Sequence, residues 1–297
     1  MTEQLTGTGV ALVTPFNQDG TIDYDSFRKL IEYIIENQVE FLVPLGTTGE
    51  SATLSKDEKK RVFEFVAEVV DGRVPLVAGI GGNNTREQTA CLREFRTQGY
   101  TAILSVSPYY NKPSQEGLFR HFLALASESS LPLIIYNIPG RTGCNIAAET
   151  TLRLAEVPNI VGVKEASDNF EQFTEILRHM PPDFCFLSGD DGVALPIIAL
   201  GGHGVISVAG NALPREVSGM VRLCLKGNFA EARKLHNELA ALIPLLFEEG
   251  NPAGIKAFLQ ESGICGDTVR LPLVPPGEGL RTRIRNAAAG YQLPIKQ

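Results

Sequence analysis

The chain has 297 residues, of which 43% are hydrophobic, 21% charged and 7% aromatic, with no Trp. Its 27 Lys and Arg against 34 Asp and Glu give a formal net charge of −7, which argues against a surface for nucleic acid or anionic lipid. The apolar content is too high for a disordered chain, and the longest apolar run, Leu239–Phe247, contains Pro244 and falls far short of the roughly 18 residues a membrane span needs.

From the N-terminus onward, short β-branched runs alternate with longer amphipathic stretches. Val10–Val13 precedes a helical pattern at Tyr24–Asn37, Phe41–Leu45 precedes Lys56–Val70, and Leu76–Ile80 precedes Arg86–Gln98. Ala102–Val106 then leads to Gln115–Ser129, Leu133–Tyr136 to Ala148–Glu156, and Ile160–Val163 to Phe170–Met180. Phe184–Leu187 with Val193–Leu200, and Val205–Val208 with Arg215–Lys226, complete the alternation. The runs are apolar nearly throughout, as in strands buried on both faces. Ser55 with Glu58 fits a capping box, and Thr85 with Gln88 fits another helix start.

Eight strand–helix units in about 226 residues match a parallel (β/α)₈ barrel. A doubly wound open sheet gives the same alternation, but the count of eight and the lack of a G-x-G-x-x-G fingerprint favour the barrel. Beyond Gly227 the pattern turns helical, at Phe229–Glu249, Pro252–Ser262 and Gly279–Ala289. The expected domains are therefore a catalytic barrel over 1–226 and a helical C-terminal region over 227–297.

Chemistry on such a barrel sits where the strands end, on the C-terminal face. Lys164 closes the sixth run, so its ammonium would emerge partly desolvated from the core. Desolvation lowers a lysine pKa and frees the amine to form a Schiff base with a carbonyl. The competing reading is a lysine that snorkels or pairs with Glu165. The uncharged Gly46-Thr47-Thr48-Gly49 turn offers N–H groups and hydroxyls to a small carboxylate or phosphate. Arg141, in Pro139-Gly140-Arg141-Thr142-Gly143, could grip a second carboxylate. Tyr109, Tyr110 and Tyr136 all fall at predicted strand ends, where phenols could relay protons.

The four His are scattered, and His203 reads as structural. Asp190-Asp191 reads as hydrogen bonding at a helix N-terminus, not as a metal site. The five Cys (91, 144, 185, 224 and 265) are far apart, with no C-x-x-C pair, as expected of reduced thiols. The N-terminus carries no secretory pattern, so a cytoplasmic protein is expected.

Several ordered segments carry a more specific signal. GTTGESATLS (46–55), SPYYNKPSQEGL (107–118), YNIPGRTG (136–143), GVKEAS (162–167), SGDD (188–191) and GGHGVISV (201–208) resemble the dihydrodipicolinate synthase family of pyruvate-dependent class I aldolases. The likeness runs from about Gly9 into the C-terminal helices. It implies a (β/α)₈ barrel with a helical C-terminal domain, assembled as a homotetramer of tight dimers. It implies condensation of pyruvate with L-aspartate-4-semialdehyde on the diaminopimelate route to lysine, with no metal or organic cofactor.

By the same resemblance Lys164 is the Schiff-base lysine. Thr47, Tyr110 and Tyr136 form a proton relay, in which Tyr110 crosses into the neighbouring subunit's site. Thr48 contacts the pyruvate carboxylate, Arg141 binds the semialdehyde carboxylate, and Gly189 and Ile206 line the site. Related sugar-acid aldolases and N-acetylneuraminate lyases share the lysine but must accept a polyhydroxylated chain, for which the Arg141 loop is less suited. A silent homologue that only binds a metabolite would be expected to lack the lysine or part of the relay. Both readings stay open at this point.

Lysine-inhibited members bind their effector near the tyrosine that crosses the dimer interface. Ala52, Gly81, Asn83, Glu87 and Tyr109 match that site. Lys56 and Lys59 depart from it, standing where strongly inhibited members tend to carry histidine or glutamate. Two extra cations beside a cationic effector predict weak or absent inhibition by lysine.

Overall fold

The computed structural model describes residues 2–291. The last six residues of the predicted C-terminal region, 292–297, lie outside the described part. Eight strands alternate with helices: β1 (Gly7–Ala11), β2 (Phe41–Val43), β3 (Val77–Gly79), β4 (Ala102–Val106), β5 (Leu133–Asn137), β6 (Ile160–Glu165), β7 (Cys185–Ser188) and β8 (Gly204–Ser207). They hydrogen-bond in parallel in the order β2-β1-β8-β7-β6-β5-β4-β3. A parallel bridge between Leu42 and Leu76 joins the two ends, so the sheet closes as a (β/α)₈ barrel. The β1–β8 seam is close enough that a Cβ on Gly204 would lie 1.9 Å from the Gly7 carbonyl oxygen, and φ there is +150°. Only glycine fits that approach.

Strand periodicity separates two cores. Ala11, Phe41, Val43, Ala102, Leu104, Ile134, Tyr136, Cys185, Leu187 and Ile206 fill the barrel interior. Their strand neighbours Val10, Leu42, Ile103, Leu133, Ile135, Phe186 and Val205 face outward into a second cluster shared with the helices. Successive side chains on a strand point to opposite faces, and here both faces are buried.

The helices are α1 (Tyr24–Glu36), α2 (Lys56–Val70), α3 (Thr85–Glu94), α4 (Gln115–Glu128), α5 (Pro139–Thr142), α6 (Ala148–Ala155), α7 (Phe170–His179), α8 (Ala194–Ala199) and α9 (Pro214–Leu225). Beyond the barrel lie α10 (Phe229–Ala240), α11 (Ile243–Phe247), α12 (Ala253–Glu261) and α13 (Glu278–Ala288). The Ser55–Glu58 capping box at α2 forms as expected.

Three helical expectations change. The cap of α3 is Asn84, which accepts from the Glu87 N–H, while the Thr85 hydroxyl hydrogen-bonds the His121 ring. That helix stops at Glu94 instead of Gln98, because Phe95 leaves helical geometry to pack edge-on against Phe63 and Tyr100. The predicted Phe229–Glu249 helix is two helices, broken where Pro244 enters the first turn of α11. Proline has no N–H to continue α10 and clashes with the preceding turn.

The C-terminal helices grip the β2 end of the barrel through buried charge. On α12, Lys256 is fully buried; its Nζ meets Glu50 Oε1 at 2.5 Å and the Thr268 carbonyl at 2.8 Å, over the Phe16 ring. The other Glu50 oxygen accepts from the Arg270 N–H at 2.9 Å. Arg270 in turn spans Gly20, Thr53 and Glu58. Removing one partner of a buried pair strands the other in low dielectric. Lys256→Met is expected to lower unfolding stability by about 3–5 kcal/mol, with Lys256→Met/Glu50→Gln recovering part of the loss. Denaturant titration at fixed protein concentration measures it; a loss under about 1 kcal/mol would show that the pair contributes nothing beyond a surface bridge.

Candidate active site

The registry of β5 and β6 sets the centre of the site. Tyr136 and Lys164 are directly paired across these strands, and Lys164 is paired with Leu187 on β7. All three point into the barrel, with Lys164 Nζ 4.3 Å from the centroid of the Tyr136 ring. Only about 5% of Lys164 is exposed. Burial pulls its pKa down from 10.5 to about 8; Asp191 opposes this, Arg141 adds to it, and Asp190 opposes it. Roughly one amine in ten is then neutral at pH 7, compared with fewer than one in a thousand for a free lysine.

Pairing of Lys164 with Glu165 does not occur, because adjacent strand residues face opposite ways. Glu165 turns outward and accepts from Asn137 Nδ2, Gln172 Nε2 and the Ser167 N–H. Burial raises its pKa, and these donors oppose the rise. This network ties the ends of β5 and β6 to α7, leaving the lysine amine beside the phenol with no hydrogen-bond or ion-pair partner among the described residues.

Tyr136 is equally enclosed. Burial pushes its hydroxyl up to about 12, while the Arg141 charge and a hydrogen bond with Thr47 pull the other way. Thr47 belongs to a 3₁₀ turn over Thr47–Gly49, held by a hydrogen bond from Thr14 Oγ1 to the Gly49 carbonyl. The same turn places Thr48, whose hydroxyl accepts from Asn251 Nδ2 at 2.9 Å. Arg141 sits exposed on α5, near enough to act electrostatically on both Tyr136 and Lys164.

Gly189 follows β7, and a Cβ there would lie 2.7 Å from Ala166 Cβ and 3.2 Å from Lys164 Cε. Glycine at this point leaves the lysine stem its room. Ile206 lies in the interior layer on β8, about 1% exposed.

Tyr110 is not gathered with the others. It is 86% exposed, and its φ of +76° is a conformation a bulky residue rarely adopts. Tyr109 beside it is 41% exposed, and its carbonyl accepts from Asn83 Nδ2 at 3.3 Å. Ala52, Gly81 and Glu87 are also exposed. Lys56 Nζ stands 3.6 Å from Glu87 Oε1, so one of the two added cations reaches this cluster.

Asp190 caps the 3₁₀ turn at Asp191–Val193 by accepting from the Gly192 N–H, as expected. Asp191 does the same at a different helix start, that of the 3₁₀ turn Ala209–Asn211. It is fully enclosed and reaches β8, accepting from the Ser207 hydroxyl and from the N–H groups of Val208 and Ala209. His203 is structural, its Nδ1 accepting from the Phe186 N–H. The residues sequence reading missed are Asn251, Lys256 and Glu50. All are buried polar groups whose partners lie on other elements, and only their charge or amide in an apolar setting hinted at a role.

The geometry has close counterparts. The model of the dihydrodipicolinate synthetase family matches residues 4–289. The 4-hydroxy-tetrahydrodipicolinate synthase of Parabacteroides distasonis is 50% identical over 272 residues, covering 91% of this chain and 92% of that protein. The crystal structure of dihydrodipicolinate synthase from Aquifex aeolicus superposes with a TM-score of 0.94 at 41% identity, covering 98% of this chain and all of the other. A solved monomeric dihydrodipicolinate synthase variant superposes equally well, with a TM-score of 0.94 at 36% identity over 97% of this chain and 98% of its own. With nearly the whole length matched at this identity, the chain belongs to the dihydrodipicolinate synthetase family.

Proposed function

We propose that the bowl around Lys164 condenses pyruvate with L-aspartate-4-semialdehyde, the activity for which the relatives are named. The observation that carries the reading is the buried Lys164 amine, held near pKa 8 against the Tyr136 ring.

The neutral amine attacks the pyruvate ketone, and loss of water leaves an iminium that withdraws electrons from the methyl carbon. Thr48, on the turn whose Thr47 acts on Tyr136, receives the pyruvate carboxylate. Tyr136, protonated across the working pH range, passes protons through Thr47 to the Tyr110 of a second subunit. The methyl group loses a proton, and the resulting enamine attacks the aldehyde carbon. Arg141 holds the semialdehyde carboxylate at the open rim. The amine of the semialdehyde then adds to the iminium carbon, closes the ring and displaces Lys164. Gly189 and Ile206 shape the space around the lysine, and no metal or cofactor enters.

The exposed, strained Tyr110 supports a tight dimer in which it reaches the relay of a second subunit, and pairs of such dimers would give the homotetramer. A monomeric variant among the structural neighbours means that family membership alone does not decide assembly. Under this proposal the chain works in the cytoplasm; among the described residues no helix is long and apolar enough to cross a membrane. Residues 1–226 would form the catalytic barrel, with the region 227–297 bracing it.

Arg141→Ala is expected to lower kcat/KM for the semialdehyde by about 2–5 kcal/mol, while pyruvate trapping falls far less. A coupled assay with both substrates, run beside borohydride trapping of pyruvate alone, reads the difference. Equal damage to both would make Arg141 structural.

Ala52, Gly81, Asn83, Glu87 and Tyr109 form the candidate effector site. Glu87, which the family resemblance assigns to the effector's α-ammonium, is engaged by Lys56. A like-charge pair at about 6 Å and an effective dielectric near 20 costs on the order of 2–3 kcal/mol before salt screening. Lysine inhibition is therefore expected to be weak or absent, and half-inhibition below about 1 mM L-lysine in the coupled assay would overturn this.

A further inference from the structure

Asn251 stands in the turn between α11 and α12, yet its side chain reaches 203 residues back along the chain to the site. Its Nδ2 donates to Thr48 Oγ1 at 2.9 Å, and the two residues are about 6% and 2% exposed. Its Oδ1 is buried with no hydrogen-bond partner among the described residues. A native fold seldom leaves a buried amide oxygen unpaired, and such a group asks for an explanation.

The bond to Thr48 is the one hydrogen bond the Asn251 side chain makes among the described residues, and the donor inventory shows what it does to that hydroxyl. A threonine hydroxyl carries one proton and two lone pairs. Here one lone pair is occupied by Asn251, and no bond among the described residues uses the proton. A hydroxyl that accepts from a fixed amide is oriented, with its proton free for an acceptor in the bowl. A pyruvate carboxylate is such an acceptor.

The amide itself is held firmly. Five residues on, Lys256 is bonded to Glu50, which lies two residues after Thr48. A Cβ on Gly254 would lie 2.6 Å from the Leu246 carbonyl oxygen, so α11 and α12 meet at backbone contact. The turn bearing Asn251 and the turn bearing Thr48 are thereby clamped at two points.

We propose that Asn251 is a positioning residue for the reaction: its amide orients the Thr48 hydroxyl so that the proton of Thr48 meets the pyruvate carboxylate. This deepens the reading of Thr48 given above and rests on it. Asn251 touches no substrate and acts through Thr48 alone.

The test is a cycle of Asn251→Ala, Thr48→Ala and the double variant, each read by the pyruvate concentration that half-saturates borohydride trapping and by KM for the semialdehyde. Asn251→Ala is expected to raise the pyruvate value roughly tenfold, the scale of one lost hydrogen bond to a charged group, with the semialdehyde KM within twofold. Thr48→Ala is expected to raise it at least as much, and the double variant no further than Thr48→Ala. Asn251→Asp keeps the shape of the side chain and loses the donor when ionised, so it is expected to weaken pyruvate even if the alanine variant folds poorly. If the Asn251→Ala loss persists undiminished in the Thr48→Ala background, Asn251 is merely structural and the inference is wrong. If Thr48→Ala leaves pyruvate half-saturation unchanged, the reading of Thr48 fails first, and the inference falls with it.

Discussion

Desolvation of one amine is the constraint on which the rest depends. A lysine in water is protonated at neutral pH and cannot attack a carbonyl. Strand β6 points Lys164 into a barrel whose interior layer is otherwise apolar, and the low dielectric there favours the neutral form. Complete burial beside nothing but hydrocarbon would overshoot, since a group that never charges cannot take part in proton exchange. Asp191 and Asp190 return part of the positive charge's stability from a distance. The balance leaves the amine near 8, poised between its two forms.

That balance needs neighbours that do not pair with the amine. Glu165 would be the obvious counter-ion, but the strand alternation turns it outward, where Asn137, Gln172 and Ser167 satisfy it. Asp191 is similarly occupied by Ser207 and two backbone N–H groups. Both carboxylates spend their hydrogen-bonding capacity on joining the ends of neighbouring elements. The same bonds that stiffen the rim of the barrel thus keep the lysine free. The C-terminal helices extend this principle to the opposite wall, where Lys256 and Asn251 fix the turn that carries Thr47 and Thr48.

Much of this was legible because the barrel's periodicity is local. Runs such as Ala102–Val106 coincide with their strand, and Lys164 followed from its place at the end of an apolar run. Edges were less exact: β1 begins at Gly7, three residues before the predicted run, because glycine and threonine there give no apolar signal. The helix break near Pro244 was visible as a proline but outweighed by the apolar content around it. The bonds from Asn251 to Thr48 and from Lys256 to Glu50 were out of reach, since each joins residues more than two hundred positions apart and nothing local marks the partner. Tyr110 was legible as a strand-end tyrosine, and its exposed, strained geometry adds the reason to look for a second subunit.

The most direct measurement is borohydride trapping of pyruvate on the intact protein from about pH 6 to pH 10, with the modified peptide mapped by mass spectrometry. In the proposed reaction the neutral amine is the nucleophile, so trapping should rise with pH and level off above a midpoint near 8. One reduced pyruvate should be found per chain, on the peptide containing Lys164. An adduct on another lysine, no adduct at all, or a midpoint near 10.5 would contradict the account.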